Sequence, residues 1–154
     1  MNKNKKWLAA LFAVLMLAAC MGCKAEAIPP YLIVDGTTVV GYTKDLPANL
    51  VIPKGVTRIG GWAFYGCTSL ASVTIPNSVT EIGDSAFSGC KSLASVTIPN
   101  SVTKIDYAAF YGCTSLASVT YTGTKAQWKA VQKRDWNYSV PATVVHCADG
   151  DAAL

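Results

Sequence analysis

Ile52 to Thr74 reads IPKGVTRIGGWAFYGCTSLASVT, Ile75 to Thr97 reads IPNSVTEIGDSAFSGCKSLASVT, and Ile98 to Thr120 reads IPNSVTKIDYAAFYGCTSLASVT. Each stretch is 23 residues long, and 15 positions are the same in all three. A unit this short cannot bury its own apolar side chains. The copies must stack and close one another's faces, which makes the chain a solenoid. Within a copy the apolar positions keep neither a strict alternation nor a helical period throughout, as expected of a coil built from short elements. Leu70, Val73 and Ile75 recur as Leu93, Val96 and Ile98, then as Leu116, Val119 and Tyr121. Alternation along Ser72-Val73-Thr74-Ile75 turns Val and Ile inward and Ser and Thr outward, so each copy is expected to carry one short strand. Pro76 and Pro99 stop the strands that precede them.

The middle of each copy, Ile82-Gly83-Asp84-Ser85-Ala86-Phe87 in the second, reads as a short helical turn capped by Asp84 or Ser85. Gly60 and Gly83 stand where the third copy has Asp106. Asp is among the residues that best tolerate left-handed backbone, so this position is expected to carry an unusual φ. Phe64, Phe87 and Phe110 are expected to lie above one another, as are Ile59, Ile82 and Ile105, filling the space between coils.

Residues 1–19 have the three-part form of a secretory signal, with Lys3, Lys5 and Lys6 ahead of an apolar run from Trp7 to Ala19. That run is 13 residues long, whereas a bilayer core of roughly 30 Å takes about 20. It ends in Leu17-Ala18-Ala19-Cys20, which resembles the lipobox of bacterial lipoproteins and implies cleavage before Cys20 and acylation of that residue. Cys23 is the alternative, but Cys20-Met21-Gly22 lacks the aliphatic residue expected upstream of it. Several acyl chains together hold a protein stably on a membrane. Of 13 basic residues, three fall in the signal, leaving 10 against 9 acidic ones. A chain this close to neutral has no electrostatic case for nucleic-acid binding.

Between the signal and the repeats, residues 20–30 read as a lipidated tether and residues 31–51 as an N-terminal cap. The cap opens with two β-rich runs, Tyr31 to Val34 and Thr37 to Tyr42, joined at a hairpin signal, Asp35-Gly36. Three repeats fill residues 52–120, and residues 121–154 form a C-terminal cap. There Thr124-Lys125-Ala126-Gln127 fits a capping box, and Trp128 and Val131 share one face of a short helix expected over 125–134. Trp136 and the run Thr143 to His146 are expected to cover the last coil's open edge.

The pattern Ile-Pro-x-x-Val-Thr-x-Ile-x-x-x-Ala-Phe-x-Gly-Cys-x-Ser-Leu is similar to the BspA-like, or Treponema pallidum-type, leucine-rich repeat. The match covers residues 52 to 121, with a half-repeat expected on either side. The resemblance implies an α/β solenoid of 23-residue coils, its Leu-x-x-Val-x-Ile segments forming a curved parallel sheet. It further implies a bacterial surface protein, associated with adhesion to host proteins, other bacteria or surfaces. On this basis the chain is expected to be an envelope lipoprotein that binds a host, matrix or other cell-surface protein. A carbohydrate-binding module and a purely structural envelope component are the alternatives.

Two surfaces are candidates for binding. One is the row of hydroxyls on Ser72, Thr74, Ser95, Thr97, Ser118 and Thr120, whose simpler role is to stabilise a sheet. The other comprises positions that differ between copies: Trp62, Tyr65, Tyr107 and Tyr111, beside Arg58, Glu81 and Lys104. Aromatic side chains anchor protein interfaces and also stack on sugars. Drift at tolerant positions would produce the same variation.

Cys67, Cys90 and Cys113 recur at equal spacing. Stacking brings equivalent residues within disulfide range, but three sulfurs cannot all pair, and buried free thiols are the favoured reading. No ligand set for zinc is present, since structural zinc wants four converging ligands, and no cofactor is implied. Asp149-Gly150-Asp151 is too short for a calcium loop and reads as a solvated tail. With His146 as the one histidine and no nucleophile motif beside any serine, the chain is not expected to be an enzyme.

Overall fold

The computed structural model describes residues 27–43 and 46–154. The signal, Cys20, Cys23 and most of the tether lie outside the described residues. No described helix is long and apolar enough to cross a membrane.

The chain winds through two six-stranded sheets. The first comprises β1 (Leu32–Asp35), β2 (Thr38–Tyr42), β4 (Arg58–Ile59), β6 (Glu81–Ile82), β8 (Lys104–Ile105) and β10 (Gln132–Lys133), in that spatial order. The second comprises β3 (Asn49–Val51), β5 (Ser72–Thr74), β7 (Ser95–Ile98), β9 (Ser118–Tyr121), β11 (Val144–Cys147) and β12 (Gly150–Ala153), again in spatial order. Every neighbouring pair is parallel except the hairpins β1/β2 and β11/β12. Each coil contributes one strand to each sheet, so β2/β3, β4/β5, β6/β7, β8/β9 and β10/β11 define five coils. The antiparallel strands finish opposite ends of opposite sheets, β1 at the start of the first and β12 at the close of the second.

The expected strand appears in all three repeats, with Val73 opposite Val96 and Val96 opposite Val119. The second element is not the expected helical turn. Residues 84–89 are a run of turns in which alternate N–H groups point along the stack: Ser85 N–H donates to Tyr107 O (2.9 Å), Phe87 N–H to Ala109 O (2.8 Å) and Gly89 N–H to Tyr111 O (2.8 Å). A helix would spend those donors within the coil; here they tie each coil to the next, making a third hydrogen-bonded side. The left-handed residue is also not at Gly60, Gly83 and Asp106. It lies two positions later, at Trp62 (φ 63°), Ser85 (φ 52°) and Ala108 (φ 53°). Gly83 is needed for close approach, since a Cβ there would lie 2.7 Å from Gly61 N.

The core is a set of columns. Ile59, Ile82 and Ile105, Leu70, Leu93 and Leu116, and Val73, Val96 and Val119 are all buried. Phe64, Phe87 and Phe110 stack with centroids 5.1 Å apart at each step and planes within 12°. Tyr42 continues the stack at 5.9 Å before the first repeat, and Trp136 closes it edge-on at 5.7 Å after the third. Cys90 Sγ donates to Phe64 O (3.2 Å) and Cys113 Sγ to Phe87 O (3.1 Å), and Cys67, Cys90 and Cys113 are buried free thiols. Hydrogen bonding with Cys113 and burial push the Cys90 thiol far above its usual range.

Both ends differ in detail from expectation. The hairpin loop is Gly36-Thr37, with Gly36 at φ 59° and Asp35 opposite Thr38, one residue later than Asp35-Gly36. The capping box forms, Gln127 N–H donating to Thr124 Oγ1 (3.2 Å) and Thr124 N–H to Gln127 Oε1 (2.8 Å). The helix α1 nevertheless spans only Lys125–Ala130 and stops short of 134, because Val131 turns extended and Gln132–Lys133 join the first sheet. Lys133 Nζ donates to the helix-end carbonyls of Trp128 (2.6 Å) and Val131 (3.0 Å) and lies 4.4 Å from the Trp128 ring centre. Asp149-Gly150-Asp151 is exposed to solvent as expected, but it is not a tail. Gly150 and Asp151 begin β12, Asp149 Oδ1 accepts from Lys125 N–H (2.7 Å), and Asp151 Oδ1 pairs with His146 Nδ1 (2.8 Å).

Candidate interaction surface

The coil has three outer sides, and they differ in what they leave free. On the first sheet, Arg58, Glu81 and Lys104 occupy successive strands and neutralise one another. Glu81 Oε1 lies 3.1 Å from Arg58 Nη2 and 3.1 Å from Lys104 Nζ, which also reaches Asp106 Oδ2 at 2.7 Å. The hydrogen bond from Lys104 holds the Asp106 carboxyl below the usual carboxylate range, and the same contact raises Lys104. These pairs are solvent-facing and contribute little to stability.

The second sheet presents the hydroxyls. Ser72, Ser95 and Ser118 lie in register, as do Thr74, Thr97 and Thr120. Ser72 Oγ donates to Asn49 Oδ1 (2.7 Å), and the threonine row continues into His146, whose partner is Asp151.

The turn side carries the aromatics. Trp62 (59 % exposed), Tyr65 (54 %), Tyr107 (51 %), Tyr111 (46 %) and Tyr138 (68 %) all project from it. The hydrogen bonds between turns set their columns: Gly66 N–H to Ser88 O, Gly89 N–H to Tyr111 O and Gly112 N–H to Tyr138 O align Tyr65, Ser88, Tyr111 and Tyr138. Trp62 and Tyr65 pack at 4.9 Å in the second coil, and Tyr111 and Tyr138 stack at 5.7 Å with planes 9° apart across the fourth and fifth. Between the pairs, Ser85 and Ser88 are buried. Tyr107, Ala108, Tyr111, Asp135, Asn137 and Tyr138 line a shallow cleft of about 390 Å³. A left-handed backbone costs a non-glycine residue about 1–2 kcal/mol; the repeat imposes that cost on every copy, but only the first places an exposed tryptophan there.

Of the residues singled out from the sequence, Trp62 with Tyr65 and Tyr107 with Tyr111 are brought together as two clusters on one side. Arg58, Glu81 and Lys104 are not part of it; they line the first sheet. Tyr138, Asp135 and Asn137 were missed, because α1 displaces the fifth coil from the 23-residue spacing. Trp136-Asn137-Tyr138-Ser139 shares only its tyrosine with Ala109-Phe110-Tyr111-Gly112; the hydrogen bonds from Phe110 N–H to Trp136 O and from Gly112 N–H to Tyr138 O set the two against each other, and Ser139 (φ 63°) takes the left-handed backbone that Gly112 (φ 67°) supplies. Among the described residues, no three His, Cys, Asp or Glu side chains are grouped as a metal site requires.

A parallel solenoid whose repeats each place a buried leucine, Leu70, Leu93 or Leu116, two residues ahead of a short strand defines a leucine-rich-repeat protein. The model of the BspA type leucine rich repeat region matches residues 42–131 in six copies, and the chain belongs to that family. The crystal structure of a leucine-rich repeat protein from Bacteroides capillosus is similar with a TM-score of 0.63 and 28 % identity, covering 79 % of this chain and 96 % of that one. The T. pallidum leucine rich repeat protein is 33 % identical with a TM-score of 0.50, over 56 % of this chain. The match spans 45 % of that protein's length. A leucine rich cell surface protein from Faecalibacterium prausnitzii is 28 % identical over 62 % of this chain and 38 % of its own, with a TM-score of 0.39. A comparison with curated proteins finds no match.

Proposed function

We propose that this chain is a lipid-anchored module of the bacterial envelope that binds a partner protein on a host, matrix or cell surface, without catalysis, through its turn side. The observation that supports this reading is the segregation of the exposed rings. Among the described residues, all five exposed aromatics sit on the turn side, while Arg58, Glu81 and Lys104 of the first sheet pair with one another. Five coils at about 5 Å each give roughly 25 Å of length, room for one partner footprint of about 800 Å². Trp and Tyr at the centre of such a footprint dominate its energetics.

The test is saturable binding to a panel of immobilised matrix and serum proteins. Trp62→Ala is expected to weaken binding to the strongest partner by about 2 kcal/mol, some 30-fold, with an unchanged thermal melt because the ring is exposed. No saturable partner in the panel, or a Trp62→Ala variant that binds as the parent does, would sink the proposal.

The anchor is tested separately. Cells expressing Cys20→Ala are expected to lose palmitate label and release the protein from the membrane fraction; retained label would move the modification to another residue. Protease added to intact cells is expected to cleave the parent, and full protection would place the domain out of a partner's reach.

A further inference from the structure

We propose that the cleft between the third repeat and the fifth coil is a subsite for a neutral terminal sugar carried by the partner protein. This rests on the reading of the chain as an interaction module and names the chemistry of one of its contacts. Tyr138 is the last ring of its column. One face is stacked on Tyr111 at 5.7 Å, and among the described residues no further ring packs against the other. At 68 % exposed, it is the most exposed of the large hydrophobic side chains among the described residues. Asp135 and Asn137 line the cleft from the same coil as Tyr138, and Tyr107 and Ala108 line it from the third repeat.

A pyranose ring has an apolar C–H face edged by hydroxyls, and each part of the cleft meets one of these. The open face of Tyr138 packs against the C–H groups. Asp135 accepts from hydroxyls, and Asn137 both donates and accepts. Among the described residues Asp135 makes no salt bridge within the chain. A partner's Phe or Leu placed here would cover that carboxylate and leave it unsatisfied, an arrangement that costs free energy on burial. A sugar hydroxyl satisfies it. The lining holds a carboxylate and no Lys or Arg, so acidic sugars are repelled and neutral hexoses or N-acetylhexosamines are selected.

The experiment uses the full chain in a zwitterionic detergent on an array of glycoproteins differing only in their terminal sugar. Saturable binding to at least one neutral terminus is expected, reduced tenfold or more by a sialic acid cap. Tyr138→Ala and Asp135→Asn are each expected to lower that binding at least tenfold, with unchanged circular dichroism melts. Binding that survives both substitutions, sialylated glycans bound as well as neutral ones, or an array without any saturable glycan would overturn the subsite. The two readings fail separately. If a protein from the matrix panel still binds through Trp62 while the array is blank, the subsite is wrong and the protein-binding module stands; if the array is positive while every unglycosylated protein is ignored, the converse holds.

Discussion

Phe87→Ala is expected to melt roughly 10–20 °C below the parent, because a buried Phe→Ala change costs about 3–5 kcal/mol and each kcal/mol shifts the midpoint of a domain this size by several degrees. Phe87 is fully buried, with Phe64 above it and Phe110 below it, each 5.1 Å away. Neither neighbour can collapse into the gap, since the strands and turns of adjacent coils are tied by hydrogen bonds on both sides of the ring. The loss is a large part of the 5–15 kcal/mol that stabilises a whole domain. Differential scanning calorimetry on Phe87→Ala and Tyr65→Ala side by side gives the comparison. The exposed Tyr65 is expected to change the midpoint by no more than a degree or two. A melt for Phe87→Ala within a few degrees of the parent would contradict the stacked column.

Trp136→Ala is expected to cost a similar 3–5 kcal/mol but to spend it differently. Trp136 is buried against the edge of Phe110 at 5.7 Å and the Trp128 ring at 5.7 Å, so it joins the last coil and the helix to the ring stack. In a chain of nearest-neighbour contacts, damage at one end loosens that end first. Hydrogen exchange is expected to accelerate in β10, β11 and α1 by several orders of magnitude while β4 and β5 keep most of their protection. Uniform acceleration across all five coils would instead mean that the solenoid opens as one unit.

The inward strand residues and the capping box were legible in the sequence because each depends on residues within one copy or one helical turn, and the phenylalanine column because the same position recurs every 23 residues. Two features were not. The short strands Arg58–Ile59, Glu81–Ile82 and Lys104–Ile105 are too brief to show a period, and they exist because the coil next door pairs with them. The turn side was mistaken for a helical turn, since Asp84 and Ser85 suit a helix cap equally well. The Ser85 N–H goes to Tyr107 O of the following coil and the Asp84 carbonyl accepts from Trp62 N–H of the preceding one, a choice settled by stacking. The same stacking put Tyr138 beside Tyr111 although 27 residues separate them, and so completed a cleft of which the repeat pattern gave only half.

Thr74 is followed by Ile75-Pro76-Asn77-Ser78, and Thr97 by Ile98-Pro99-Asn100-Ser101, the same four residues. A chain spliced from Thr74 directly to Ile98 would therefore have an unaltered seam and would still offer Phe110 to Phe64 in the place of Phe87. Length in this molecule is a quantity that changes by whole modules, with both terminal hairpins indifferent to how many lie between them. Excising the middle module would also bring Tyr65 next to Tyr111, closing the serine-floored interval and turning two separate aromatic clusters into one continuous strip. Copy number would then set the shape of the contact surface as well as its extent.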